Sequence, residues 1–377
     1  MKSRILILGA GFGGLELSTR LSENLGDSIE VTLIDKSDAF VFGYSKLDVM
    51  FGKDLLENVQ LPYARFLKPG VTLKKETITH IDPVNRRVTT DAGNYAADYL
   101  VVALGADYDI AATPGLRDAN EFYSVAGAAK LRDILPTIDK GRFLIGVCGA
   151  PFKCPPAPSE AALMLHDFLI QRGVRDSCEI AFTIPLSAPV PPSPDTSRAL
   201  LVAFAERNIR FRAQTRIASI ENARGVALME DGSEEPFDLL LGVPKHRVPD
   251  VVIDSGMSES GWIPVNPRTL ETRYENVYAI GDGAATGTPK AGYFAEGEAA
   301  AVAETLIARI KGGGETGIYA GRGTCYIEFG GDKIGRVVVD FFAEPHPTGT
   351  YHEPSVDLRV HKKEFGASRR ARWFGMS

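Results

Sequence analysis

The sequence has few cysteines and no long apolar segment. Its four cysteines (Cys148, Cys154, Cys178 and Cys325) are too few and too scattered for a disulfide scaffold or a zinc site, so we expect no bound metal. No run of 18 or more apolar residues exists, which excludes a membrane-spanning helix. The glycine-rich N-terminus does not fit a signal peptide. These absences predict a cytoplasmic protein, in which a bonded cysteine pair is more often catalytic than structural.

The sequence also lacks the basic excess that is typical of nucleic-acid-binding proteins. Its net charge is -6, and no arginine-rich block lies outside the C-terminus, so we expect no nucleic-acid partner. A length of 377 residues exceeds what one typical core accommodates, and 44% hydrophobic with 24% charged residues is ordinary for a soluble protein. We therefore expect two or three domains.

A glycine-rich loop near the N-terminus predicts a dinucleotide site. The loop follows an apolar strand at residues 4–8 and opens a helix, and a second strand at residues 29–34 ends in an acid. In this motif Gly9 permits the turn, Gly11 admits the pyrophosphate and Gly14 lets the helix pack on the strand. The acid then binds the ribose. The cofactor-binding residues expected from this region are Gly9, Gly11, Phe12, Gly13, Gly14, Asp35 and Lys36.

A second strand-loop-helix unit, at residues 143–169, lacks such a phosphate cradle. Its loop contains Gly146 and Gly149, but also prolines at 155, 156 and 158, and Ser159 is the expected N-cap of the helix. Proline offers no N–H to a phosphate and limits close approach of the backbone. Because this loop presents Cys154, it suggests sulfur chemistry in place of nicotinamide binding.

The identity of the cofactor is indicated further along the chain. A strand at residues 277–280 ends in Gly281-Asp282 and precedes an alanine-rich helix. In two-dinucleotide-fold flavoproteins such an aspartate contacts the ribitol chain of FAD, and the helix N-terminus points at the flavin. The stretch at residues 98–106, DYLVVALGA, is similar to a strand of the same proteins. We expect FAD, with further contacts from Ala103, Gly105, Pro151, Lys290 and Gly292.

The predicted fold class is α/β. We expect two Rossmann-like dinucleotide-binding domains, the second inserted into the FAD domain, plus a small C-terminal α+β unit. The FAD domain comprises residues 1–112 and 238–311, and the inserted domain comprises residues 113–237. The C-terminal unit, residues 315–377, contains a predicted hairpin with strands at 324–329 and 335–342.

Together these motifs resemble the sulfide:quinone oxidoreductase and flavocytochrome c sulfide dehydrogenase flavoproteins, which are related to type II NADH dehydrogenases. The resemblance covers nearly the whole chain and includes GAGFGG, GAPFKCPPAPSEAA, NVYAIGD and GTCYIEFGG. It implies a redox-active disulfide between Cys154 and Cys325 beside the flavin, with Glu160 near it. It also implies a small sulfur donor and a quinone or similar acceptor, and we expect a monomer or homodimer.

Several of these residues also have simpler interpretations. Cys154 and Cys325 could be core cysteines, as we expect for Cys148 and Cys178. Glu160 could be an acid favoured by the helix dipole, and Lys290 could be a surface lysine instead of a positive charge near the flavin. We expect Lys153 to favour the thiolate of its neighbour Cys154. His166 is predicted to be a packing or surface residue.

Three departures from the family pattern matter. A proline-rich segment, IPLSAPVPPSPD, replaces a glycine-rich turn with histidine, and paired amphipathic C-terminal helices are not evident. The tail instead combines basic residues with Phe365, Trp373 and Phe374, which predicts either peripheral contact with the inner face of the plasma membrane or a tail packed on an acidic protein. Val41 and Phe42 stand where flavocytochrome-type relatives bond the flavin through cysteine, so we expect non-covalent FAD.

Three functions are compatible with the sequence. The first is an FAD enzyme that oxidises sulfide, or a small thiol or persulfide, through Cys154 and Cys325 and reduces a quinone. The second is a type II NAD(P)H:quinone dehydrogenase, and the third is a flavoprotein that acts as a redox-sensing or interaction module. Reduction of the flavin by sulfide or by NADH, and its dependence on Cys154, separates the first two.

Overall fold

The computed structural model describes residues 2–376, so Met1 and Ser377, the end residues of the expected first and last units, lie outside it. The first part of the chain begins with alternating strands and helices, as predicted. Its elements are β1 (Ser3–Leu8), α1 (Phe12–Leu25), β2 (Ile29–Asp35), β3 (Ala39–Val41), α2 (Ser45–Met50), α3 (Leu56–Val59), β4 (Gln60–Pro62), β5 (Val71–Lys75), β6 (Ile78–Asp82), β7 (Arg87–Thr90), β8 (Asn94–Ala96), β9 (Tyr99–Val102) and β10 (Asp107–Asp109).

The middle of the chain contains a second series of this kind. Its elements are α4 (Val125–Ile134), β11 (Gly141–Val147), α5 (Ala157–Gln171), β12 (Cys178–Thr183), α6 (Pro194–Glu206), β13 (Ile209–Arg212), β14 (Ile217–Glu221), β15 (Val226–Met229), β16 (Glu234–Pro236), β17 (Leu239–Val243) and β18 (Lys245–Arg247). The remaining elements are α7 (Asp250–Asp254), β19 (Val277–Ala279), α8 (Gly292–Lys311), β20 (Arg322–Glu328), β21 (Ile334–Asp340), β22 (Thr348–Ser355) and α9 (Asp357–Phe374).

The first domain is built on a five-stranded parallel sheet in the order β19-β9-β1-β2-β5. Strand β19 comes from the chain after the insertion, so the two separated parts share one sheet. In β1, Ile5 and Ile7 lie in one hydrophobic core, and Leu6 and Leu8 lie in a second core on the other face. Burial of both faces is what a parallel sheet requires. Helices α1 and α8 pack against each other.

The second domain is built on a four-stranded parallel sheet in the order β13-β12-β11-β17. The predicted α/β class with two parallel sheets is therefore confirmed. The expected end of this domain at residue 237 is too early, because Leu239 in β17 pairs with Phe143 in β11. The short strands β10 and β18 pair where the chain enters and leaves the domain, through Asp107 and Arg247.

Helix α5 begins earlier than the sequence predicted. Its N-cap is Pro156, and Ser159 is fully buried inside the first turns, so the prediction of Ser159 as N-cap is wrong. Proline is tolerated at a helix start because the N–H that it lacks would have no partner there. The turn is closed instead by the Ala157 N–H, which donates to the Cys154 carbonyl oxygen at 2.8 Å.

The C-terminal unit contains the expected hairpin, because β20 and β21 pair antiparallel. A third strand, β22, and helix α9 were not predicted. Helix α9 packs on the first domain: Trp373 and Phe374 are buried, and the Trp373 indole N–H donates to Glu16 at 2.9 Å. Arg372 forms ion pairs with Glu16 and Glu23. Trp373, Phe374 and Arg372 thus make their contacts within the protein. Across residues 2–376, no helix has both the length and the apolar character needed to cross a membrane.

Candidate active site

The glycine-rich loop between β1 and α1 has the shape of a dinucleotide cradle. A Cβ at Gly14 would lie 1.9 Å from the Gly9 carbonyl oxygen, so only glycine lets α1 pack against the loop. Gly9 itself has a φ of 99°, and a Cβ there would lie 2.4 Å from the Ala103 carbonyl oxygen. A Cβ at Gly11, the N-cap of α1, would meet no atom within 4 Å. The loop is packed on the protein side and open at the helix N-terminus, where a pyrophosphate binds.

Asp35, at the end of β2, is held beside this loop. Its carboxylate accepts hydrogen bonds from the Ala10 N–H and the Ser37 N–H, both at 2.8 Å. Each carboxylate oxygen can accept a further bond, so the side chain retains capacity for ribose hydroxyls. Tyr63, which the sequence did not single out, donates its hydroxyl to the Ala10 carbonyl oxygen at 2.8 Å and lines the same cavity.

A cavity of about 540 Å³ runs from this loop to the second domain. Most of the residues predicted from the sequence line it: Gly9, Gly11, Phe12, Gly13, Asp35, Lys36, Ala103, Gly105, Cys154, Gly281, Asp282, Lys290 and Gly292. Four predicted residues do not line it: Gly14, Pro151, Glu160 and Cys325. Gly14 acts through helix packing, whereas Pro151 is exposed and its predicted cofactor contact is not supported.

Lysines and acids meet at the far end of the cavity. Lys290 is buried rather than on the surface, and its Nζ donates to the Ala284 carbonyl oxygen at 2.6 Å, 4.3 Å from the centre of the Trp262 ring. Burial raises the pKa of Asp282, while Lys153, Lys290 and Lys46 oppose that rise. Opposed effects of burial and of neighbouring charges are typical of ionisable groups at functional sites. Among the described residues, no group of His, Cys, Asp and Glu side chains could hold a metal ion.

Cys154 is held on the cavity wall by two hydrogen bonds that its backbone forms with neighbouring residues. Its N–H donates to the Lys290 carbonyl oxygen at 2.7 Å, and its carbonyl oxygen accepts from the Tyr123 hydroxyl at 3.4 Å. The residue has a φ of 49°, in the left-handed region that residues other than glycine rarely adopt. This loop therefore fixes the half-buried Cys154 thiol at the boundary between the two domains.

Cys325 and Glu160 approach Cys154 from two other elements. Cys325 lies in β20, and Glu160 lies in the first turn of α5, where its Oε1 accepts from the Glu328 N–H of β20 at 3.0 Å. Burial raises the pKa of both thiols, and the charge of Glu160 raises each of them further. Burial also raises the pKa of Glu160 to about 7. Glu160 is therefore an electrostatic neighbour of both cysteines and not merely an exposed first-turn acid. Both cysteines are free thiols here.

The other cysteines and two further predictions can be placed. Cys148 and Cys178 are buried in the cores, as expected for inert cysteines. His166 is half-buried and contacts Asp167, in agreement with a packing role. Lys153 does not serve Cys154 as expected: its Nζ donates to the Ala106 carbonyl oxygen at 2.8 Å. The cations that lower the pKa of Cys154 are Lys46 and Lys362. No local motif marked them, because they reach the site from α2 and α9.

The first part of the chain matches a known protein family. Residues 3–146 match the family model of the pyridine nucleotide-disulphide oxidoreductases, and this match implies a flavin cofactor. The residues of the cradle fit that implication, because they leave open space at Gly11 and a carboxylate at the end of β2.

Nearly the whole chain is homologous to the sulfide:quinone oxidoreductases, as the sequence predicted. It is 24% identical over 375 residues to the mitochondrial sulfide:quinone oxidoreductase of Mus musculus, a match that covers 95% of this chain and 82% of the relative. The crystal structure of the sulfide:quinone oxidoreductase of Aquifex aeolicus shares the fold with a TM-score of 0.87 and 24% identity, covering 98% of this chain and 91% of that one.

A second group of relatives matches a shorter part of the chain. The type II NADH:quinone oxidoreductase of Staphylococcus saprophyticus is 33% identical over 133 residues, which is 34% of this chain and 33% of that protein.

The open space at Gly11 makes a direct prediction for the cofactor. Gly11→Val should leave the folded protein intact, because no protein atom lies within 4 Å of the added Cβ, but should lower flavin content at least about tenfold by blocking backbone approach. The ratio of flavin to protein absorbance in the purified variant measures this, with circular dichroism as the check on folding. Gly93→Val, at a glycine outside the cavity that also has no neighbour within 4 Å and no positive φ, is the matched control for the added side chain. A Gly11→Val protein with full flavin content would contradict the assignment of the loop.

Proposed function

We propose that this protein is an FAD-dependent oxidoreductase that oxidises sulfide, or a small thiol or persulfide, and passes the electrons to a quinone or similar acceptor. The observation that carries the proposal is the position of Cys154 on the wall of the dinucleotide cavity, with Cys325 and the buried Glu160 within electrostatic reach. The likeness to sulfide:quinone oxidoreductases over nearly the full chain supports it.

Three groups would hold FAD in the cavity. The N-terminus of α1 at Gly11 would bind the pyrophosphate, Asp35 the ribose and Asp282 the ribitol chain. Bound FAD supplies a two-electron acceptor on the thiol side and a two-electron donor for the quinone. Lys290, buried at the same end, would place positive charge near the reduced cofactor.

We also propose that FAD is bound without a covalent bond. Val41, which lines the cavity, and its neighbour Phe42 carry no thiol that could attach to the flavin. Acid precipitation of the purified protein should therefore leave a coloured supernatant and a colourless pellet. A yellow pellet that keeps its colour through repeated acid washing is the contrary result.

The two thiols divide the sulfur chemistry between them. Because Cys154 lines the cavity and Cys325 does not, Cys154 is the sulfur that faces the cofactor, and Cys325 is the sulfur that sulfide attacks. Starting from the oxidised pair, hydrosulfide forms a new sulfur–sulfur bond to Cys325 as the Cys154–Cys325 bond breaks. The electron pair of the broken bond leaves on Cys154 as a thiolate, and Cys325 carries the persulfide. This step moves no net electrons out of the sulfur atoms.

Glu160 is the group that handles the proton in this step. Its Oε1 is held by the Glu328 N–H at 3.0 Å, which orients the carboxyl group and leaves Oε2 to take the proton of the incoming sulfur. Burial raises its pKa to about 7, so it changes protonation state near neutral pH. A base whose pKa lies near the working pH is the effective choice for general base catalysis.

Anaerobic reduction by sulfide tests the sulfur assignment. Sulfide should bleach the flavin of the unmodified protein, and Cys154→Ser or Cys325→Ser should abolish the bleaching, because each removes one half of the disulfide. Cys148→Ser, at a buried cysteine in another core, is the matched control and should bleach normally. Stopped-flow absorbance at the flavin band measures all four proteins. Unimpaired bleaching of Cys154→Ser by sulfide would refute the proposal.

The same experiment distinguishes the proposed function from an alternative in which NAD(P)H is the electron donor. The similarity to a type II NADH:quinone oxidoreductase favours NAD(P)H as a second candidate donor, although the loop after β11 has prolines at 155, 156 and 158 where a nucleotide needs open backbone. Rapid bleaching by NADH that is insensitive to Cys154→Ser would favour the dehydrogenase. We expect slow bleaching by NADH.

The raised pKa of Glu160 predicts the pH dependence of the sulfide reaction. Only the deprotonated carboxylate accepts a proton, so the rate of flavin reduction should rise as the pH passes upward through about 7. Glu160→Gln should lower the rate above neutral pH by about 100-fold and remove this inflection, leaving only the dependence that comes from ionisation of sulfide itself. Glu259→Gln, at an exposed acid, serves as the control. Identical pH profiles for Glu160→Gln and the unmodified protein would exclude Glu160 as the base.

The localisation and the oligomeric state of the protein stay predictions. We propose a cytoplasmic monomer or homodimer that meets its quinone at the membrane surface. The burial of Trp373 and Phe374 favours the packed interpretation of the tail, so contact with the bilayer would have to use other residues.

A further inference from the structure

Lys46, in helix α2, is a cavity residue that no sequence motif marked. We propose that Lys46 is a positioning residue for the redox pair, whose ammonium group lies near Cys154 and stabilises the Cys154 thiolate as the disulfide opens. This role rests on the proposed sulfur chemistry. It concerns a side chain from the first domain acting on a cysteine that the second domain supplies.

Hydrogen bonds through Tyr123 connect Lys46 to Cys154. The Lys46 Nζ donates to the backbone carbonyl oxygen of Tyr123, which also accepts from the Tyr108 hydroxyl at 2.6 Å. The hydroxyl of the same Tyr123 donates to the Cys154 carbonyl oxygen at 3.4 Å. All four residues line the cavity. An ammonium group has three donors, and the Tyr123 carbonyl takes only one, so two stay available to an anion.

The carboxylates near Lys46 already have other partners. Four charged or titratable groups face it: Lys153, Cys154, Glu121 and Asp282. Glu121 is already engaged by the backbone N–H groups of Tyr123 and Ser124, at 2.6 and 2.8 Å.

Asp282 favours the charged form of Lys46, but its own charge is shared with Lys153 and Lys290. Within residues 2–376, Lys46 forms no ion pair with a carboxylate. Burial, and then Lys153, lowers the pKa of Lys46 to about 8, so the group is still protonated at neutral pH.

The groups that face Cys154 leave Lys46 as its available cation. Burial, Glu160 and Cys325 raise the pKa of the Cys154 thiol, and Lys46 and Lys362 lower it. Lys362, from α9, is already paired with Glu328 at 2.6 Å. The function that the sequence assigned to the neighbouring Lys153 is therefore performed by a residue that is distant along the chain.

The chemical consequence concerns the leaving group. When the disulfide opens, the electron pair and the negative charge move to Cys154, and a leaving thiol with a lower pKa departs faster. A nearby ammonium group lowers that pKa by favouring the charged form. Lys46 thus accelerates the opening of the disulfide without touching the attacking sulfur.

Site-resolved alkylation tests this inference without any turnover of sulfide. The flavin-bound protein is reduced anaerobically and exchanged into thiol-free buffer. Its reaction with iodoacetamide is then followed at Cys154 by peptide mass spectrometry across a range of pH. Below about pH 8, where Lys46 is protonated, Lys46→Met should slow the alkylation of Cys154 by about tenfold or more. Lys46→Arg, which keeps the charge, should keep the pH profile of the Cys154 reaction near its original position. Lys333→Met, at an exposed lysine, is the control and should not displace it.

A flavin-bound Lys46→Met protein whose Cys154 profile coincides with that of the unmodified protein overturns the inference. Should Lys46→Met lose its flavin, Lys46→Gln takes its place, because the amide retains a donor for the Tyr123 carbonyl without the charge. Failure of sulfide to bleach the flavin would refute the proposed function but would leave the alkylation profile as an independent measure of Lys46.

Discussion

One hydrogen bond organises the candidate site: the Cys154 N–H donates to the Lys290 carbonyl oxygen at 2.7 Å. It ties the loop after β11, in the second domain, to the loop before α8, in the first. The left-handed backbone of Cys154 costs about 1–3 kcal/mol for a residue other than glycine, so the contacts on both sides of it must offset that cost. With prolines filling the positions that a nucleotide phosphate would need, the loop closes over the cavity and presents a thiol to it.

The electrostatics of the cavity follow from burial of many ionisable groups in a small space. Burial raises the pKa of Glu160 to about 7 and that of Glu298 to about 8, and it lowers the pKa of Lys46 to about 8. The Glu298 carboxylate accepts a hydrogen bond from the Gly281 N–H at 2.5 Å, and this bond orients the turn that carries Asp282. Glu160 and Lys46, which both titrate near neutral pH, act on the Cys154 thiol, and this arrangement suits a reaction that moves protons and electrons together. Burial of the thiols opposes their ionisation, which is why nearby cations matter.

The sequence predicted the parts of the site that are local in the chain. The glycine loop, the strand that follows α1 and the acid at its end are set by short-range turn and packing rules, and Gly9, Gly11 and Asp35 line the cavity as expected. Long-range contacts were not predictable in this way: Lys46 arrives from α2 and Lys362 from α9, and no spacing in the chain encodes their approach to Cys154. The domain boundary at 237 was wrong for a related reason, since only sheet pairing shows that β17 belongs with β11. The tail illustrates a third case, in which composition was compatible with two environments and the packing of Trp373 against Glu16 favours one of them.

The central claim is that two cysteines from different domains form one redox couple beside a bound flavin. The most direct measurement is a crystal structure of the oxidised, FAD-bound protein, refined without restraints between the two sulfur atoms. The account predicts a Cys154–Cys325 bond of about 2.05 Å, with the Cys154 sulfur in van der Waals contact with the flavin ring. Two separated sulfur atoms under oxidising conditions, or a Cys154 sulfur out of contact with the ring, would contradict it.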